Sequence, residues 1–174
     1  GFGKDNVKEL ITSTAFTIYE DENRVLNFAT EASGILQYQS NKFKIHWNNT
    51  LLPKATTTSI KDFNDIYWIG SKNQGLYKIA IDSTVHRLNE IPEISINRLN
   101  LNSKGDLFAA TDGDGLYIIN QDTITHLTAE HGLLSNVVNY SYSMGSKMLI
   151  GTINGLNIWD GNSLTTVPEF DGLD

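Results

Sequence analysis

One repeating phase runs through this chain. Four stretches align on a glycine followed by an aliphatic residue: ATEASGILQY, GSKNQGLYKI, ATDGDGLYII and GTINGLNIWD. The anchoring glycines are Gly34, Gly75, Gly115 and Gly155, at spacings of 41, 40 and 40 residues. A short apolar run precedes each one (VLNFAT, IYWIGS, DLFAAT and KMLIGT), closed by Thr30, Ser71, Thr111 or Thr152. The flanks keep the phase. His46, His86 and His126 lie 40 residues apart, and Gly132-Leu133 recurs 40 residues on as Gly172-Leu173. A period of this length implies a unit that cannot bury its own core and must stack on its neighbours.

The unit reads as short strands. In the third, SINRLNLNS supplies one strand, with Ile96, Leu99 and Leu101 apolar, and SKG turns. DLFAAT is the second strand and TDGDG turns; GLYIIN is the third, NQD turns, and TITHLT is the fourth. β-Branched and aromatic residues fill the runs, and Gly, Asn, Asp and Ser fill the gaps. No window keeps an apolar period of about 3.6 residues, so helix is expected to be scarce. Pro53, Pro92 and Pro168 fall near the joints between units.

A tandem four-stranded unit of about 40 residues is the sequence sign of β-propeller blades. The chain is expected to be all-β, with blades of four antiparallel strands over residues 1–48, 49–88, 89–128 and 129–168. Residues 169–174, which end in DGLD, open a further repeat, and residues 1–12 are open to assignment to an earlier blade. A parallel β-helix is the structural alternative, but its coils are usually shorter than this unit. Propellers have about four to eight blades, so the chain reads as a partial propeller cut from a longer ring. Uncovered strand edges and an apolar blade face are then expected. The partners implied are the remaining blades of a parent protein and, for the piece itself, a second copy.

Composition excludes several function classes. Twenty acidic against 13 basic residues give a net charge of −7, and no dense basic block appears, which argues against nucleic acid. No apolar run is long enough to span a bilayer. The opening GFGKDNVKEL lacks the apolar core of a signal peptide, so either the chain is cytosolic or a targeting segment has been removed. Without cysteine there is neither a disulfide nor a thiolate metal site.

The stretch TDGDGLYI, Thr111 to Ile118, is the sharpest candidate for chemistry. An EF-hand needs acidic or amide groups at positions 1, 3 and 5, Gly at 6 and Glu at 12. Counted from Asp112, those last three places hold Leu116, Tyr117 and Thr123. The equivalent turns TEASG, SKNQG and TING carry no paired carboxylates, so the shared feature is a glycine for a tight hairpin. No Lys-Ser or Lys-Thr follows, and no helix opens there to cradle a phosphate. The periodic histidines sit near the outer strand of each unit. Strands about 4.8 Å apart place that strand roughly 14 Å beyond the inner one, too spread between blades to share a metal held at about 2 Å. His131 and Ser135 lack a local acid–base partner and a nucleophile elbow, and read as surface residues. YEDENR, Tyr19 to Arg24, reads as a solvated hairpin turn. No catalytic residue, metal ligand or cofactor motif is assigned.

A paired-carboxylate glycosidase site cannot be located from sequence. Trp47, Trp68 and Trp159, with Tyr38, Tyr67, Tyr117, Tyr140 and Tyr142, could stack on a sugar, but most stand at core strand positions. Trp47, beside the joint at Asn48-Asn49, is the freest candidate for ligand contact.

Two pieces, HGLLSNVVNYSYSMGSKMLIGTINGLNIWDG and DIYWIGSKNQGLYKI, resemble the two-component regulator propeller repeat. Its Gly-Leu-x-Ser-Asn opening is matched by Gly132, Leu133, Ser135 and Asn136, and its Trp-Ile-Gly-Thr by Trp68 to Ser71 and Leu149 to Thr152. Its closing Gly-Leu and Asp are matched by Gly155-Leu156 and Asp160. The first unit departs most, with Asn27-Phe28-Ala29-Thr30 in place of Trp-Ile-Gly-Thr. The resemblance implies the extracellular or periplasmic propeller sensor of a bacterial membrane protein, often a hybrid histidine kinase answering to polysaccharide breakdown products. The membrane is then met only through the parent. The motif residues shape blades, so none is carried over as a site. A structural or adhesion propeller of a secreted or surface protein is the alternative, and a propeller lyase or glycosidase is a third reading.

Overall fold

The apolar runs become the second strands of four antiparallel sheets among the described residues. The computed structural model describes residues 14–167 except 22, 41, 48–51, 54, 81 and 122; the side chains of His46 and Trp47 lie outside the description. The proposed earlier blade at residues 1–12, Pro168 and the repeat opening at 169–174 also fall outside it. The chain divides into two units, Gly1–Ile96 and Asn97–Asp174.

The first unit holds two sheets. One is β1 (Ala15–Glu20), β2 (Leu26–Thr30), β3 (Gly34–Gln39) and β4 (Lys42–Trp47). The other is β5 (Thr56–Lys61), β6 (Tyr67–Ser71), β7 (Leu76–Ile79) and β8 (Val85–Arg87). The second unit holds β9 (Ile96–Leu101) from Asn97 onward, with β10 (Leu107–Thr111), β11 (Leu116–Ile119) and β12 (Ile124–Leu127). Its other sheet is β13 (Val138–Met144), β14 (Lys147–Thr152), β15 (Gly155–Trp159) and β16 (Leu164–Thr166). Every sheet is a simple meander in chain order. Pro53 and Pro92 lie between sheets, where no ladder hydrogen bond is lost.

In the third sheet both faces of the inner strands are buried, so their sequences are near-continuous apolar runs. All five residues of LFAAT in β10 and all four of LYII in β11 are buried. In the second unit, Phe108, Ala110, Leu116 and Ile118 of one sheet pack against Val138, Met148 and Ile150 of the next. The first unit repeats this with Ile35 against Ile69 and Ile79. The edge strands β8 and β12 are short and wet: β8 has three residues, and Ile124 and Thr125 of β12 are exposed.

Two turn devices recur. Between first and second strands an Asx side chain holds the turn. Asp21 Oδ1 accepts from the amides of Asn23 and Val25, and Asp62 Oδ1 from those of Asn64 and Ile66. Asn102 Oδ1 does the same for Lys104 and Asp106. The fourth sheet replaces this turn with Gly145 at φ 63°. The segment YEDENR is a hairpin turn as expected, but Asp21 within it is buried at 7% exposure because it serves two backbone donors. A short 3-10 helix, Ala129–His131, is the one described helical element, and it lies in the joint before β13.

Candidate functional site

The second recurring device explains why each apolar run ends in Thr or Ser. The hydroxyls of Thr30, Ser71, Thr111 and Thr152 donate to the carbonyls of Gly34, Gly75, Gly115 and Gly155, at 2.7, 2.9, 2.7 and 3.0 Å. The glycine takes φ of 73°, 78°, 79° and 132° in turn, a left-handed backbone that an L side chain resists. At Gly115 the space is closed as well: a Cβ would sit 2.1 Å from the Leu127 carbonyl oxygen. Its amide reaches on to the next joint, donating to the Asn136 carbonyl at 2.7 Å. TDGDG is therefore a hairpin turn and a joint anchor.

Its two carboxylates diverge. Asp112 is exposed and forms an isolated bridge with Val137. Asp114 Oδ2 accepts from the Tyr117 hydroxyl at 2.5 Å. The Tyr117 ring stacks on His126, with centroids 4.2 Å apart and planes 4° apart. His126 Nε2 lies 2.6 Å from the Asp114 carbonyl oxygen and 3.7 Å from Asp114 Oδ1. Burial, and then the neighbouring Asp114, push the Tyr117 phenol well above its ordinary range. These three residues lock one turn to the edge strand β12. The phenol is committed to the carboxylate.

The other histidines are built differently. His86, exposed on β8, contacts the Thr84 hydroxyl through Nε2 at 2.8 Å, and that hydroxyl donates to Asp82 Oδ1 at 2.6 Å. The Thr84 hydroxyl, followed by its amide, holds Asp82 below the usual carboxylate range. Asp160 behaves likewise in the β15–β16 turn, lowered first by the Ser163 amide. In both hairpins the carboxylate is held by the groups of its own turn. His46 lies on β4, and its side chain is outside the described residues. No group of three or more His, Asp or Glu that could hold a metal occurs among the described residues.

His131 closes the short helix on itself: Nδ1 accepts from the Thr128 amide at 3.2 Å and contacts its hydroxyl at 2.9 Å. Ser135 Oγ accepts from the Val137 amide at 3.1 Å. Both sit in turns. Two asparagines fix this joint, Asn136 of the repeat opening and Asn157, which went unnoticed in the sequence. Asn136 Oδ1 accepts from the Ala129 amide. Asn157, fully buried in β15, accepts from the Leu134 amide at 3.0 Å and donates to the Gly132 carbonyl at 3.0 Å. The available signal was an Asn at the place where the second and third units carry Tyr77 and Tyr117.

The aromatic candidates separate cleanly. Trp68 is buried, and its indole N–H donates to Asp62 Oδ2 at 2.9 Å. Tyr117 is buried, while Tyr38, Tyr67 and Trp159 are half-buried. Burial raises the Tyr67 phenol pKa. Tyr140 and Tyr142 are 43% and 59% exposed, against the expectation of core positions, and the Arg98 guanidinium lies over Tyr140, 5.0 Å from its centroid. Trp47 pairs with Ile35 through the β3–β4 ladder, and its side chain is outside the described residues.

No family model matches the chain, and no curated protein matches it in sequence. Solved structures do. The extracellular domain of a B. thetaiotaomicron protein described as a hybrid two component system matches at TM-score 0.74 and 18% identity, over 91% of this chain and 22% of that one. Virginiamycin B lyase from Staphylococcus aureus matches at TM-score 0.65 and 12% identity, over 90% of this chain and 57% of the lyase. The Cps50 (Swd1) β-propeller domain of Myceliophteria thermophila matches at TM-score 0.60 and 13% identity, over 91% of this chain and 57% of that one. The chain spans about a fifth of the extracellular domain it matches. At these identities the likeness carries the fold, and the fold is all-β, built of four-stranded antiparallel propeller blades.

Proposed function

We propose that the chain is a non-catalytic, ligand-sensing segment of the extracellular or periplasmic propeller of a two-component signalling protein, with an oligosaccharide as ligand. The supporting observation is the match to an extracellular domain of that class at TM-score 0.74 over 91% of the chain. The polar groups fit this reading. Asp62, Asp82, Asp114 and Asp160 are engaged in turns, whereas catalysis needs a nucleophile, a base and stabilising donors converging on one point. On this reading the chain meets a membrane only through its parent. The same blade fold in a lyase keeps an enzymatic reading as the rival.

Calorimetric titration of the purified chain with oligosaccharides released from polysaccharides, with product analysis of the same mixtures, tests this. Saturable heat without product supports sensing. Turnover of any member of the panel overturns it in favour of a lyase or glycosidase. Silence across the panel overturns the oligosaccharide and favours the structural or adhesive reading.

A further inference from the structure

The residue after each turn glycine is Ile35, Leu76, Leu116 and Leu156. The first three are fully buried; Leu156 is 42% exposed. Ile35 packs under Ile69 and Ile79 of the following sheet, and Leu116 packs under Met148 and Ile150. Leu156 thus holds a joint position that the described residues leave exposed. Its sheet also exposes Tyr142 at 59% and Ile153 at 59%.

The complementary half of such a joint lies on the first sheet. Phe28 and Tyr38 hold the register places that Ile69 and Ile79 hold in the second sheet: Leu26 pairs with Tyr38 as Tyr67 pairs with Ile79, and Ile18 pairs with Phe28 as Ser59 pairs with Ile69. Ile69 and Ile79 cover Ile35. Phe28 and Tyr38 instead stand with Phe43, at centroid distances of 5.6 and 4.7 Å, and Ile18 and Phe43 are 58% and 39% exposed.

The first strands add a polar register. The Thr57 hydroxyl donates to the Ile96 carbonyl at 2.6 Å, and Asn97 Nδ2 donates to the Val138 carbonyl at 2.9 Å. The next residue in this series is Asn139, which follows Val138 as Thr57 follows Thr56, and it is exposed. The carbonyl that a further joint would offer it is that of Ala15, which pairs with Thr30 as Val138 pairs with Thr152.

We propose that the Leu156 face of the fourth sheet docks on the Phe43 face of the first sheet of a second copy of this chain, head to tail. The chain carries both halves of the joint, with apolar cover and an amide donor in the register that its own sheets already use. Such an interface is heterologous, so each copy uses two different faces.

Sedimentation velocity of the 174-residue chain over a wide concentration range is the test. Concentration-dependent association is expected. Leu156→Lys and Phe43→Lys should each weaken it by roughly thirtyfold or more, as for a residue at an interface centre. Tyr142→Lys serves as a second probe of the fourth sheet if Leu156→Lys loses its β-sheet circular dichroism. Mixing the Leu156→Lys and Phe43→Lys proteins should restore a one-to-one complex, because each retains the face the other has lost. A monomer at every concentration, association indifferent to these variants, or failure of the mixture to pair would each overturn the proposal.

Discussion

The Tyr117 hydroxyl donates to Asp114 Oδ2 at 2.5 Å while its ring lies flat on His126, so one side chain ties the β10–β11 turn to the edge strand. Burial of the phenol and the bond to Asp114 both favour its neutral form. The folded chain therefore keeps this proton where the unfolded chain, with a phenol pKa near about 10, has lost it. The resulting stability is fully present below about pH 10 and drains away as pH rises beyond it. Denaturant midpoints measured from about pH 8 to 11 should fall more steeply for the native protein than for Tyr117→Phe. Tyr67, also raised by burial, contributes the same slope to both proteins. Parallel curves would show that Tyr117 titrates alike in both states.

Gly113 and Gly115 sit two residues apart in one turn and should respond very differently to alanine. Both have positive φ, 110° and 79°. An added Cβ meets nothing within 4 Å at Gly113, but at Gly115 it falls 2.1 Å from the rigid Leu127 carbonyl. Gly113→Ala should cost about 1 kcal/mol of backbone strain. Gly115→Ala must displace the start of the joint and should cost about 4 kcal/mol or more. Urea denaturation of the two variants compares them directly.

The hydroxyl that closes each turn can be deleted without changing side-chain shape. Thr111 is fully buried, and its Oγ1 donates to Gly115 and accepts from the Asp114 amide at 3.1 Å. Thr111→Val strands that amide and should cost about 2 kcal/mol. Thr152 makes the same donation in a solvent-exposed turn, where water replaces the lost partner. Thr152→Val should cost under about 1 kcal/mol. Equal losses would show that burial does not set the value of this bond.

The third blade was the most legible because both faces of its inner strands are covered: LFAAT and LYII are apolar for the same reason that they are buried. The turn glycines and the Thr or Ser before them were legible as a period, and the bond between them gives that period its cause. Side-chain partnerships across the turns were not legible. Asp114 with Tyr117 and His126, or Asp62 with Trp68, is fixed by strand register and not by any local pattern. The exposure of Tyr140, Tyr142 and Leu156 was equally hidden, since apolar residues at blade positions look alike whether or not a neighbour covers them. Trp47, the ligand-contact candidate that the sequence offers for its place beside a joint, has its side chain outside the described residues.

Asn157 is the sharpest case of such a hidden partnership. It is fully buried in a strand whose sequence, GLNIW, reads as blade packing, yet its amide holds the Gly132–Leu134 segment at both polar atoms. Asn157→Ala leaves the Leu134 N–H and the Gly132 C=O without that side-chain partner and should cost about 2–3 kcal/mol. Asn157→Asp keeps an acceptor for Leu134 but sets a buried carboxylate against the Gly132 carbonyl oxygen, so its loss should be at least as large. Amide exchange at Leu134 reads the local effect apart from global unfolding. It should accelerate in Asn157→Ala under native conditions, while exchange at Ile118, in the neighbouring sheet, follows only the global stability. Unchanged protection at Leu134 would mean that Leu133, buried in the core of the same unit, fixes the joint without the amide.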